Sequence, residues 1–180
     1  MSKIPKSKRE LAPEGVHKAV CVHVIDLGTQ EFQIKGKTQS SRKVSVGFEL
    51  LGKKRTDGNV HVIATRYTFS NSPKSNLMKD LKAWLGIKTN DFEMDNLLGK
   101  GALITVTHTD DGDYANVTNV SGLPDKGKLP KPETPLTSFY LDDFDKDTFD
   151  GLEDYFKEKI AMSPEYDDVA APKSKTKKGK

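Results

Sequence analysis

Arg42 to Leu51, RKVSVGFELL, is the stretch that decides how the chain is read. Val44, Val46, Phe48 and Leu50 fall on one side of an extended backbone, and Lys43, Ser45, Gly47 and Glu49 fall on the other. Strict alternation of this kind marks a strand with one face in a core and one face in water. Working outward, Lys53-Lys54-Arg55-Thr56-Asp57-Gly58-Asn59 contains an Asp-Gly pair suited to a tight reversal, so Val60 to Phe69 (VHVIATRYTF) should return antiparallel to the first stretch. Upstream, Val16 to Leu27 (VHKAVCVHVIDL) is rich in β-branched residues, and both of its alternating sets are apolar, which predicts a long, curved strand buried on both sides for part of its length. Gly28 to Ser41, full of Gly, Gln, Ser and Lys, reads as the loop between them.

Downstream the period changes. Ser72 or Ser75 is a cap candidate ahead of Leu77, Leu81, Trp84 and Leu85, whose spacing is helical, and Gly86 stands where a helix would end. Thr89 to Leu98 suggests a second short helix, with Phe92, Leu97 and Leu98 inward and Gly99 ending it. Ala102 to His108 and Tyr114 to Ser121 are strands joined by Thr109-Asp110-Asp111-Gly112-Asp113, another hairpin signal. The resulting order, β-β-β-α-β-β, is the chain plan of a five-stranded OB-like barrel with a helix between strands three and four, a mainly β architecture that commonly grips single-stranded nucleic acid.

The predicted organisation is a basic flexible arm at 1–14, an OB-fold domain at 15–121, a Pro-rich linker at 122–137 and an acidic aromatic tail at 138–180 with a basic terminus. Net charge is +3 over 180 residues, but from Phe139 to Pro172 eleven acidic residues stand against three basic ones. A mildly basic body is thus joined to a strongly acidic segment. That segment interleaves its acids with large apolar side chains, more than a purely solvating tail would use. Phe149, Leu152, Phe156 and Ile160 have helical spacing, so a tail that is disordered alone and folds on docking is expected; Phe144, Phe149, Leu152, Tyr155 and Phe156 are its candidate partner-binding residues. It would either mimic a nucleic-acid strand on the chain's own basic groove or present a docking peptide to another protein.

The single cysteine, Cys21, excludes an intrachain disulfide framework. The polar start MSKIPKSKRE and the lack of a long apolar run lead to the expectation of a cytoplasmic protein with no membrane partner. His17, Cys21 and His23 fit no structural zinc spacing, and no P-loop, GxSxG or HExxH motif occurs, so neither metal, cofactor nor enzymatic activity is expected.

Non-specific binding of single strands requires cations along the phosphates and flat rings on which bases stack. The loop after the first strand offers Phe32, Lys35, Lys37, Arg42 and Lys43; Lys53, Lys54 and Arg55 extend the basic track, and Arg66 and Tyr67 follow on the third strand. Tyr114 would add a platform beside the phosphate-repelling Asp110, Asp111 and Asp113. Tyr67 and Phe69 share a parity with Ile63, which points to the core for at least one of them.

Several of these segments resemble bacteriophage and prophage OB-fold single-stranded DNA-binding proteins. The resemblance rests on Gly28-Thr29-Gln30, Lys43-Val44 with Phe48-Glu49, Tyr67-Thr68-Phe69-Ser70, Lys74-Ser75-Asn76-Leu77 with Trp84, Leu98-Gly99-Lys100, Tyr114-Ala115-Asn116-Val117, and the closing Phe149 and Ser163-Pro164-Glu165-Tyr166. It spans roughly residues 13 to 167. It implies a protein that coats single-stranded DNA in phage DNA replication or recombination, in the host cytoplasm, and recruits partners through its acidic end. The rival expectation is a replication-associated adaptor whose tail docks a polymerase, helicase or recombinase. Trp84 is the only tryptophan, so the multi-tryptophan pattern of bacterial single-strand binders is missing.

Overall fold

The computed structural model describes residues 10–124 and 129–170. The rest of the basic arm (1–9), part of the linker (125–128) and the basic terminus (171–180) lie outside the described residues. Five strands form an antiparallel sheet in the order β3-β2-β1-β4-β5: β1 (Gly15–Ile34), β2 (Lys37–Lys54), β3 (Val60–Thr68), β4 (Gly101–His108) and β5 (Ala115–Ser121). A short β6 (Thr137–Phe139) joins β1 in parallel. Helix α1 (Asn76–Leu85) and a 3-10 turn at Met94–Leu97 come between β3 and β4. The sheet is open: among the described residues β3 and β5 are its two ends and share no ladder, so the expected barrel does not close.

α1 begins and ends as its sequence requires. The Ser75 hydroxyl accepts from the Met78 amide, and Gly86 takes the left-handed conformation with its N–H on the Lys82 carbonyl. Leu77, Met78, Leu81 and Trp84 are buried in the main core, where the Trp84 ring lies 5.4 Å from Phe48 and its Nε1–H donates to the Gly101 carbonyl at 2.7 Å.

Three further expectations are corrected. Gly28 to Ser41 is not a loop but the distal half of a long β1–β2 ribbon, with pairs running from Thr29–Arg42 out to Ile34–Lys37. Lys35 (φ 51°) and Gly36 (φ 77°) form the two-residue reversal, both with the positive φ that matches strand twist.

The second correction concerns the outer face of β2, which is covered rather than wet. Ser45, Gly47 and Glu49 are buried. Glu49, 2% exposed, accepts hydrogen bonds from the amides of Glu133 and Thr134 and from the Thr134 hydroxyl, so the proline-rich segment is strapped across the sheet.

The third is the tail, which over residues 138–170 is folded and not disordered. α2 (Lys146–Asp150), α3 (Asp154–Ala161) and α4 (Pro164–Ala170) follow β6. Phe139, Leu141, Phe149, Leu152, Phe156 and Ile160 build a second apolar core on Ile25 and Leu27 of β1. A bulge between Cys21 and His23 makes this possible. Before it Cys21 faces the main core opposite Phe48; after it His23 and Ile25 lie opposite Gly47 and Ser45 on the outer face. One strand therefore supplies two cores.

Candidate nucleic-acid interface

The register of β2 and β3 puts Lys43 opposite Thr68 and Arg66 opposite Ser45, on the face turned away from the main core. The two cations are diagonal neighbours. Lys43 donates to the Thr68 hydroxyl at 2.8 Å, and its ammonium lies 4.8 Å from the centroid of the Phe32 ring. Partial burial, reinforced by the Arg66 charge, holds the Lys43 ammonium below its ordinary pKa. Among the described residues neither Lys43 nor Arg66 has a carboxylate within salt-bridge reach. Arg66 donates instead to the Tyr155 hydroxyl of α3 at 2.6 Å.

These cations border a polar cleft of about 770 Å³ between the ends of the open sheet. Residues Thr65 to Thr68 of β3, Val117 and Thr118 of β5 and the first turns of α1 line it. Lys74 and Lys79 add two positive charges and Ser70, Ser72, Ser75 and Asn76 add polar groups. Its lining holds one acid, Asp80, which accepts from the Tyr67 hydroxyl at 2.6 Å. From the cleft the same face of the ribbon runs outward through Phe32 to Lys37, by pairing Phe32–Gln39 and Ile34–Lys37, with Lys35 at the tip. The arrangement presents cations along a track, one half-exposed ring, and hydroxyl donors, which is the equipment for binding a polyanion.

The remaining expected site residues are placed elsewhere. Arg42 is bound twice over to Asp26, with Nε at 3.1 Å and Nη2 at 2.5 Å, and contacts Asp142 at 3.2 Å. Its guanidinium is held above its ordinary pKa by that hydrogen bonding, so it carries a permanent charge already spoken for. Asp26 is fully buried and also accepts from the Gly28 and Leu141 amides, which makes this pair the joint between ribbon, sheet and tail. Tyr67, 7% exposed, belongs to the main core, and its ring cannot serve as a stacking platform. Burial and the Asp80 hydrogen bond push its hydroxyl pKa up, so it stays a donor.

Lys53, Lys54 and Arg55 lie at the opposite end of the β2–β3 ladder, where Lys54 pairs with Glu133 and Arg55 with Asp57. They do not extend the cleft. Tyr114 is 67% exposed beside the aspartate-rich turn, four residues before Thr118 of the cleft lining. Of the residues assigned to partner binding, Phe149, Leu152 and Phe156 are buried and Phe144 packs against them, because their apolar spacing is used within the chain. Tyr155 alone is exposed, at 52%.

Lys74 and Lys79 line the cleft but are not among the residues the sequence reading assigns to DNA. Their signal was in the sequence: Asn76 and Lys79 fall on the side of α1 away from Leu77 and Leu81, directly after the serine-rich turn. Asp26 gave no such signal, since an acid inside an apolar run does not announce its partner. His23 and Cys21, which share a parity in the sequence, are separated onto opposite faces by the bulge. No group of three or more potential metal ligands occurs among the described residues, and none of their helices is long and apolar enough to cross a membrane. Compared with protein-family models, with curated proteins and with solved structures, the chain matches none.

Proposed function

We propose that the chain binds single-stranded DNA without sequence specificity, along the face that runs from the β1–β2 ribbon into the cleft between β3 and β5. The observation that carries this reading is the pair Lys43 and Arg66, adjacent, mutually repelling and without a carboxylate partner among the described residues. Cations held this way are stabilised by an incoming phosphate. Phe32, packed under the Lys43 ammonium, provides a ring beside the phosphate path. Tyr114 is a second exposed ring, and Lys35, Lys37, Lys74 and Lys79 complete the track.

The strand pairing, with β1 between β2 and β4 and a helix before β4, supports reading the sheet as an opened OB-type barrel, whose second and third strands commonly contact oligonucleotides. The resemblance to phage single-strand binders adds replication or recombination as the setting, the host cytoplasm as the compartment, and binding rather than catalysis as the activity. The adaptor reading is weaker, because the apolar residues it needs are occupied in the second core.

The test is fluorescence anisotropy of labelled oligo-dT titrated with the full chain at low salt, repeated with duplex DNA and RNA. Saturable binding that weakens steeply as salt rises is expected, since counterion release supplies most of the affinity. No anisotropy change at low salt would remove the proposal.

A further inference from the structure

A second pocket, of about 430 Å³, opens on the other side of the Ser70 turn from the basic cleft, and Ser70 lines both. Its walls are largely apolar, formed by Phe69, Phe92 and the Leu77–Leu81 side of α1. Two carboxamides, Asn71 and Asn90, also line it, and among the described residues neither side chain hydrogen bonds to protein. Arg42 closes one side with its guanidinium 5.8 Å from the Phe69 centroid. That charge is matched by Asp26 and Asp142, so the pocket offers no free cation to an anion. Its chemistry is therefore that of a neutral, flat, partly apolar ligand with hydrogen-bonding edges, adjoining a cleft suited to phosphate.

We infer that this pocket takes one unpaired nucleobase of a strand whose phosphates lie on Lys43 and Arg66, an assignment that rests on the DNA-binding reading above. The base ring fills the space between Phe69, Phe92 and α1. Its edge meets the Asn71 and Asn90 carboxamides, each of which presents a donor and an acceptor and so can pair with the polar edge of any base, in keeping with binding that is not sequence-specific. The division of labour is spatial: charge is matched on one side of Ser70 and shape on the other. A pocket of this size is within the range that encloses small ligands.

The experiment compares an oligo-dT strand with an abasic strand of equal length, using the full chain, the Asn71→Ala variant and the double variant Asn71→Ala/Asn90→Ala. A strand carrying one 2-aminopurine at successive positions gives a second readout. The wild-type chain is expected to bind the base-bearing strand at least roughly ten-fold more tightly than the abasic one, in line with the worth of enclosing a base. The variants should lose several-fold of that preference while keeping their affinity for the abasic strand and its salt dependence. The 2-aminopurine fluorescence change at the bound position should shrink in parallel. If the variants leave both the preference and the fluorescence unchanged, or weaken both strands equally, the base pocket is wrong while DNA binding stands. If neither strand binds the wild-type chain, both proposals fall. Asn71 is exposed on the Ser70 turn, so the single variant keeps the test readable if the double one does not fold.

Discussion

Lys43 and Arg66 face the same side of the sheet from adjacent strands, one opposite Thr68 and the other opposite Ser45, and among the described residues neither has a carboxylate within salt-bridge reach. With no carboxylate among the described residues spent on them, these two neighbouring cations are the ones to which the proposed function assigns the phosphates. Arg42, next to Lys43 in sequence, is the contrast: it points to the other face and is consumed by Asp26.

Replacing Lys43 or Arg66 by alanine should weaken single-strand binding several-fold and make the slope of log affinity against log salt shallower by about 0.7 for each phosphate left without its cation. Stability should change by less than the binding does, since Arg66 gives up one exposed hydrogen bond to Tyr155 and Lys43 one exposed hydrogen bond to Thr68 and its contact with the Phe32 ring. Anisotropy titrations at three or more salt concentrations check this. Equal slopes for wild type and both variants would mean that neither residue meets a phosphate.

Arg42→Met should do the reverse. It leaves the buried Asp26 carboxylate with only two amide donors, and removing one partner of a buried ion pair typically costs about 3–5 kcal/mol. Since Arg42 is itself partly exposed, the lower end of that range is expected. Urea denaturation reads it directly; a variant as stable as wild type would show that the pair is not the joint described above.

Stability should fall as the pH drops from about 6.5 toward 4. Burial holds the His23 imidazole down at about 4, against an ordinary value of 6.5, with its ring edge-on to Phe156 and Nε2 3.1 Å from the Ser45 hydroxyl. Between those two values the unfolded chain binds a proton that the folded chain refuses, so stability is complete above pH 6.5 and declines through the window. The full effect is on the order of 3 kcal/mol. Urea midpoints measured from pH 7.5 to 4.5 should fall more steeply for wild type than for His23→Gln, whatever offset the substitution causes at pH 7.5, because only the wild-type chain has this imidazole to protonate on unfolding; parallel curves would exclude His23 as the source.

Gly28→Ala should loosen the tail. Gly28 has φ 70°, and a Cβ there would overlap Ser163 and Leu141, the residues by which the last helices sit against β1. Ile160→Ala, in the centre of the second core, should cost about 2–5 kcal/mol. Limited proteolysis followed by mass spectrometry is the measurement: faster cleavage within 137–170 is expected in both variants, and unchanged kinetics would count against a docked tail.

Much of the fold is written in the period of the apolar residues. Val44, Val46, Phe48 and Leu50 mark β2, Leu77, Leu81 and Trp84 mark α1, and the two Asp-Gly turns mark their hairpins. Both alternating sets of the first strand are apolar, which already says that something covers its second face. What covers it is not legible, because the helical spacing of Phe149, Leu152 and Phe156 fixes which side of a helix is greasy but not what that side touches. The ribbon from Gly28 to Ser41 reads as a loop for a related reason. Alternation reports burial, and from Glu31 to Ser40 the two-stranded arm is exposed on both sides apart from the half-buried Phe32, so it has almost none to report; its base, Gly28 to Gln30, is covered by the tail through polar contacts that leave no apolar pattern. At the candidate site the alternation of β2 puts Arg42 on the side of Val44 and Lys43 on the other, but nothing in the sequence names Asp26 as the partner that takes up Arg42 or Arg66 as the neighbour of Lys43.

Because β1 carries Cys21 and Val24 into one core and Ile25 and Leu27 into the other, the sheet and the folded part of the tail do not separate cleanly. Clipping off the acidic end would bare the underside of the strand on which the rest is built. A shortened protein is thus a poor control for what that end does, and point changes at its surface are the cleaner instrument.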